Sequence, residues 1–303
     1  MIFHRIVSFC ARQSRTAVSI NLPRFIPVRK VSSAKSLNEE FQIQYLDGEN
    51  EGIAVFAMCR PKAKNAFSKK MVQSFAEAVE VIKFDKQIRT LIVRSAVPGI
   101  FCAGADLKER VTMSPEEVGP FVSSLRSMVT EIHHLPMPTI AAMDGAALGG
   151  GLELALACDM RIASTNAKMG LVETRLAIIP GGGGTQRLPR IVGPSIAKEL
   201  IFTARVIDGA QAGKIGLVNH AVEQNETGDA AYLRAEELAR EIASQGPVAL
   251  RMAKVAINRG IEVDLDSGSK FEEAFYAQII PTKDRLEGLR AFKEKRPPKY
   301  IGE

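Results

Sequence analysis

Three consecutive glycines, Gly149, Gly150 and Gly151, run straight into an apolar, helix-favouring segment, residues 152–158. No other stretch restricts the fold as much. A helix that opens on glycines exposes backbone N–H groups with no side chain in the way, and those donors carry the positive end of the helix dipole. Glu153 is the only ionisable residue among Leu152, Leu154, Ala155, Leu156 and Ala157. A carboxyl group in such company is partly desolvated, which raises its pKa toward the range useful for proton transfer. The segment alone supports two readings. One is an oxyanion-type donor beside a poised carboxyl; the other is close packing with an acidic residue favoured by the dipole.

The surrounding pattern alternates strands and helices. Phe41–Leu46 and Ile53–Met58 read as strands joined by the turn residues 47–50. A basic loop, residues 60–66, precedes Ser68, which suits an N-cap for a helix over 69–83. Residues 90–94, Thr139–Met143 and 160–163 read as further strands. Between them, Ser114-Pro115-Glu116-Glu117 predicts a capped helix start, with a helix running to His134. His133 and His134 at its end suit cations at a helix C-terminus. The small-residue turn 98–108 can present backbone N–H groups beside Lys108, and Glu173 stands in a mostly apolar setting. Residues 180–185 form a second glycine-rich loop; helices are expected from about 195, and almost exclusively from 228 to 294. Neither a GxxxxGK[ST] phosphate loop nor a strand-borne GxGxxG fingerprint is present, which argues against ATPase and NAD chemistry. The pattern predicts an α/β core with an α-helical appendage.

The net charge of +6 invites a nucleic-acid reading, but it is misplaced for one. Residues 1–38 contain no acidic residue and hold seven of the 40 Lys and Arg, leaving 33 basic against 34 acidic in the body. An Arg- and Ser-rich, acid-free start predicts a mitochondrial transit peptide over 1–38, with processing near Arg29-Lys30-Val31-Ser32-Ser33. The four cysteines are widely spaced, which fits reduced thiols and neither a zinc site nor a disulfide framework. No apolar run reaches the ~18 residues needed to span a bilayer.

Taken together, several blocks resemble the enoyl-CoA hydratase/isomerase (crotonase) family, in the right order and over nearly all of residues 40–303. They are 60–66, 101–108, 147–155, 170–173, 179–188 and 292–296. The resemblance implies a spiral of ββα turns as the core, residues 39–227. It implies a C-terminal helical region, residues 228–303, that forms homotrimers or paired trimers. The matching positions for the two amides that hold the thioester oxygen are Ala105 and Gly150. The hydratases' two glutamates match Glu153, which would orient and activate water, and Glu173, the acid/base for the α-carbon. Lys62, Ala63, Ala103, Asp106 and Lys108 would line the coenzyme A path, and Phe292 and Lys295 would reach the coenzyme A of a neighbouring subunit. No metal and no separate cofactor are implied, because coenzyme A is part of the substrate. The expected reaction is hydration of a short or branched 2-enoyl-CoA in the mitochondrial matrix. 3-Methylglutaconyl-CoA of leucine breakdown leads, with short-chain fatty-acid oxidation as the alternative. An RNA-binding family member carries lysines four residues apart on one helix. Here those positions read Lys69, Gln73 and Glu77, so RNA binding is expected to be weak or absent.

Overall fold

A computed structural model describes residues 31–303. Most of the expected leader, residues 1–30, lies outside the described residues. In chain order the strands are β1 (Val31–Asn38), β2 (Phe41–Leu46), β3 (Ile53–Met58), β4 (Thr90–Ser95), β5 (Ile100–Cys102) and β6 (Thr139–Met143). They continue as β7 (Ala146–Leu148), β8 (Met160–Ser164), β9 (Lys168–Gly170), β10 (Ile207–Asp208) and β11 (His220–Val222). The helices are α1 (Lys69–Ile82), α2 (Leu107–Thr112), α3 (Pro115–His134), α4 (Gly150–Ala157), α5 (Gly184–Val192) and α6 (Pro194–Phe202). After α7 (Gly209–Lys214) the chain is helical: α8 (Ala230–Ala243), α9 (Pro247–Gly260), α10 (Leu265–Ile279) and α11 (Lys283–Glu294).

Two sheets share these strands. The larger runs β1-β2-β3-β4-β6-β8-β11 and the smaller β10-β9-β7-β5. The chain steps from one to the other at each turn: β4 to β5, β6 to β7, β8 to β9. Successive turns pair in parallel in both sheets, so the backbone advances as a spiral of strand, strand, helix. Central strands of such a stack are covered on both faces, which is why β6 is buried at all five positions and is apolar after Thr139. The outer face of the large sheet, with Ile92, Ile140 and Ile162, is sealed by Ala231, Tyr232, Ala235 and Ala239 of α8. Its inner face packs with α1, α3 and α4 in the main core. There the turns lie so close that a Cβ on Gly151 would stand 2.2 Å from Cys102 O, so only glycine fits at that step.

The long elements match expectation. Ser68 caps α1, accepting from Met71 N, and Ser114 with Glu117 forms the capping box of α3. Three features differ. The small sheet has strands of two or three residues, too short for a period-two pattern to register in the sequence. Helix α5 begins inside the second glycine loop, its start hidden by Gly184 and by the internal Pro189. Finally, Val31–Asn38, within the segment expected as leader, pairs antiparallel with β2 as the edge of the large sheet.

Candidate active site

All eight residues of α4 are buried, and Glu153 on its first turn is only 2 % exposed. Its Oε1 accepts hydrogen bonds from Gly182 N at 2.8 Å and Gly184 N at 2.7 Å. Burial raises this carboxyl above the ordinary carboxylate range, against the pull of the Gly184 and Gly182 amides and of the Arg187 and Arg126 charges.

Glu173 follows β9 and opens a short 3-10 turn, Glu173–Leu176. Its Oε2 is buried and has no hydrogen-bond partner. Burial, reinforced by the charge of Glu153, pushes its pKa to about 7. A Cβ on Gly149 would sit 3.2 Å from Glu173 Oε1, and Gly149 itself has φ +51°, so the helix start gives way to this carboxyl. One carboxyl is therefore tied down by two amides while the other is left open and proton-retaining. Two such groups with separated affinities can serve as an acid and a base, titrating as a coupled pair.

The donors face the same juncture. Gly104, at φ +91°, lies against the start of α4: a Cβ there would stand 2.8 Å from Leu148 O and 3.2 Å from Gly150 N. Phe67 braces both sides. Its N–H donates to Gly104 O, its carbonyl accepts from Asp106 N, and its ring lies 3.4 Å from where a Gly150 Cβ would be. The amides of Ala105 and Gly150 are thus brought together, and neither donates to any acceptor among the described residues. Two such N–H groups are the donor set that holds a developing oxyanion.

The remaining expected contact residues divide. Ala63 ends the 3-10 turn Pro61–Ala63, Lys62 within it is exposed, and Ala103 N donates to Lys64 O at 3.0 Å. Lys108 is exposed at the start of α2. The Asp106 carboxylate, by contrast, caps α2 through the Lys108 and Glu109 amides and pairs with Arg60 at 2.8 Å. Burial opposes its charge, but those bonds hold its pKa below the usual value. Its carboxylate thus braces the loop that is expected to line the coenzyme A path. Phe292 is 86 % exposed on α11, and Lys295 caps that helix in a left-handed conformation.

Three contributors went unread in the sequence. Asn65 is fully buried at φ +55° and ties the basic loop to Ser95 Oγ and Phe101 O. The Gly182 and Gly184 amides, and the two arginines near Glu153, come from distant segments that no local motif links. At His133 burial, with the nearby Arg187 charge, lowers the pKa, which works against the dipole-stabilised cation that the helix end suggests. On α1, Lys69 pairs with Glu117 at 3.0 Å and Gln73 bonds Glu77, so the broken lysine row is also internally neutralised. Among the described residues no group of three His, Cys, Asp or Glu could hold a metal ion, and no helix is long and apolar enough to cross a membrane.

Comparison with known proteins bears on the chain as a whole. The enoyl-CoA hydratase/isomerase family model matches residues 48–303. The mitochondrial methylglutaconyl-CoA hydratase of Homo sapiens is 62 % identical over 277 residues, covering 91 % of this chain and 82 % of that protein. The mitochondrial enoyl-CoA hydratase domain-containing protein 2 of Mus musculus is 58 % identical, covering 92 % of this chain and 95 % of that one. A crystal structure of an enoyl-CoA hydratase from Bacillus anthracis superposes with a TM-score of 0.83 at 45 % identity, covering 87 % of this chain and all of that one.

Proposed function

This chain belongs to the enoyl-CoA hydratase/isomerase family, and from that membership we propose how its own groups add water across the double bond of a 2-enoyl-CoA. It is a mitochondrial enoyl-CoA hydratase, a hydro-lyase. The observation that carries the mechanism is the pair of carboxyls: Glu153 held by two amides, and Glu173 with its Oε2 unpartnered and its pKa at about 7. Ionised Glu153 takes a proton from water as the water oxygen bonds to the β-carbon. The double-bond electrons move onto the thioester oxygen, where the Ala105 and Gly150 amides stabilise the enolate, each by about 3 kcal/mol. Protonated Glu173 then gives its proton to the α-carbon. Glu153 ends protonated and Glu173 ionised, and exchange with solvent restores both. Every proton is moved by the chain's own groups, and coenzyme A enters as part of the substrate.

3-Methylglutaconyl-CoA is the leading substrate, supported by the 62 % identity to a hydratase named for it. The exposed Lys62 and Lys108 suit the coenzyme A phosphates. The leader would end near Lys30–Ser33, because removal up to residue 38 would strip β1 from the sheet. The exposed apolar side chains of the C-terminal helices support a trimer, through which Phe292 and Lys295 would reach a neighbour's coenzyme A.

The test follows loss of the conjugated-thioester absorbance with 3-methylglutaconyl-CoA and crotonyl-CoA side by side. A strong preference for the first is expected. Glu153→Gln and Glu173→Gln should each lose about 10²–10⁴-fold in kcat. Retained hydratase activity in the double variant would overturn the assignment.

A further inference from the structure

The loop 180–184 that holds Glu153 is itself held from its far side. The Gly182 N–H, which donates to Glu153 Oε1 at 2.8 Å, shares a peptide plane with the Gly181 carbonyl. That carbonyl accepts from Arg126 Nε of α3, also at 2.8 Å. Guanidinium, peptide unit and carboxylate thus form one hydrogen-bonded line, in which each bond polarises the next. The next carbonyl, Gly182 O, accepts from Arg187 at 3.0 Å, so the loop is gripped at two consecutive peptides. One helical turn before Arg126, Val122 closes on Gly181: a Cβ there would lie 2.8 Å from its Cγ1. Arg126 is exposed and forms no ion pair among the described residues, so its charge is not cancelled by a neighbouring carboxylate.

We infer that Arg126 is a positioning residue for the hydration step, fixing Glu153 and favouring its ionised, water-activating form through the Gly181–Gly182 peptide. This rests on the hydratase reading above. The guanidinium touches no reacting atom; it acts by orienting an amide and by placing a cation behind it. The charge of Arg126 opposes the burial that raises the Glu153 pKa. Losing it makes Glu153 harder to ionise, so the acid-side limb of the activity profile must move to higher pH.

The experiment compares the purified wild-type chain with Arg126→Gln and Arg126→Lys, on both crotonyl-CoA and 3-methylglutaconyl-CoA, from pH 5 to 9. Arg126→Gln is expected to lower kcat about 10-fold on both substrates with KM within about twofold, and to shift the acid limb upward. Arg126→Lys keeps a cation and should recover part of both effects. An unchanged kcat and limb in Arg126→Gln would overturn the inference. So would a KM increase confined to 3-methylglutaconyl-CoA, which would mean that Arg126 reads the substrate's distal carboxylate. A loss of kcat with no limb shift and no recovery by lysine would reduce the residue to general scaffolding, again overturning it. Should Arg126→Gln fail to fold, Arg126→Lys decides: a smaller kcat loss with the same direction of shift supports the inference, and wild-type kinetics refute it. Failure of the hydratase reading shows separately, as a wild-type chain inactive on both substrates.

Discussion

Burial and the charge of Glu153 make Glu173 hold its proton more tightly in the folded chain than in the unfolded one, and that has a thermodynamic consequence. Its ordinary value is 4.5 and its folded value about 7. Between these limits the unfolded chain releases the proton first, so stability falls as pH rises through the window and stays reduced above it. Glu173→Gln removes the effect. The variant should melt roughly 2–6 °C above wild type at pH 8 and equal to it near pH 4.5, while losing nearly all activity. Scanning calorimetry at the two pH values checks this; an equal gain at both would mean that the buried charge is not the source. The burial of Glu153 was legible in the sequence, since it is the lone acidic residue in an otherwise apolar helix. The orphaned Oε2 of Glu173 was not, because lacking a partner is a property of the surroundings and not of the residue.

At the level of elements, the site is a stack of two strand-to-helix turns, β5 into α2 and β7 into α4. Gly104 is where they touch. Alanine there meets a strained φ of +91° and the Leu148 carbonyl at 2.8 Å, so the turn must back away from the start of α4. That separates the Ala105 and Gly150 amides. Gly104→Ala should lower kcat by about 10²-fold with a smaller change in KM, the pattern for an interaction realised in the transition state. Steady-state kinetics on crotonyl-CoA decide it, and a loss confined to KM would show that the donors stayed in place. The same stack explains which elements could be read in advance. Helices α1 and α3 and strands β2, β3 and β6 carry their own caps and apolar periods, and they fell where expected. Strands β5, β7 and β9 exist because neighbouring turns of the spiral pair with one another, and no three-residue segment encodes that. The loop 180–184 reads as flexible glycine, yet its amides are fixed on Glu153, a partner about thirty residues away.

For the whole molecule, the unbalanced feature is the C-terminal helices. On α11, Leu286 is 52 % exposed, Leu289 60 % and Phe292 86 %, spaced three apart along one face. The opposite face is anchored, with Ala291 buried and the Asp284 carboxylate accepting from Ile301 N and Gly302 N. Helix α9 leaves Ile257 exposed, as is Ile261 just past its end, and α10 leaves Leu265 and Tyr276. Exposed apolar stripes of this extent suit surfaces covered by another chain, and covering them is worth about 25 cal/mol for each Å² removed from water. The proposed trimer supplies that cover and brings Phe292 and Lys295 toward a neighbouring site. Leu289→Arg places a charge in the middle of the stripe without touching the anchored face. Light scattering on the eluted protein should give the mass of three chains, or six, for wild type and one chain for the variant. KM for crotonyl-CoA should rise in the same variant, because the neighbour's contribution to the coenzyme A path leaves with it. A variant that is monomeric with an unchanged KM would confine each coenzyme A site to its own chain; one that stays trimeric would move the interface off α11.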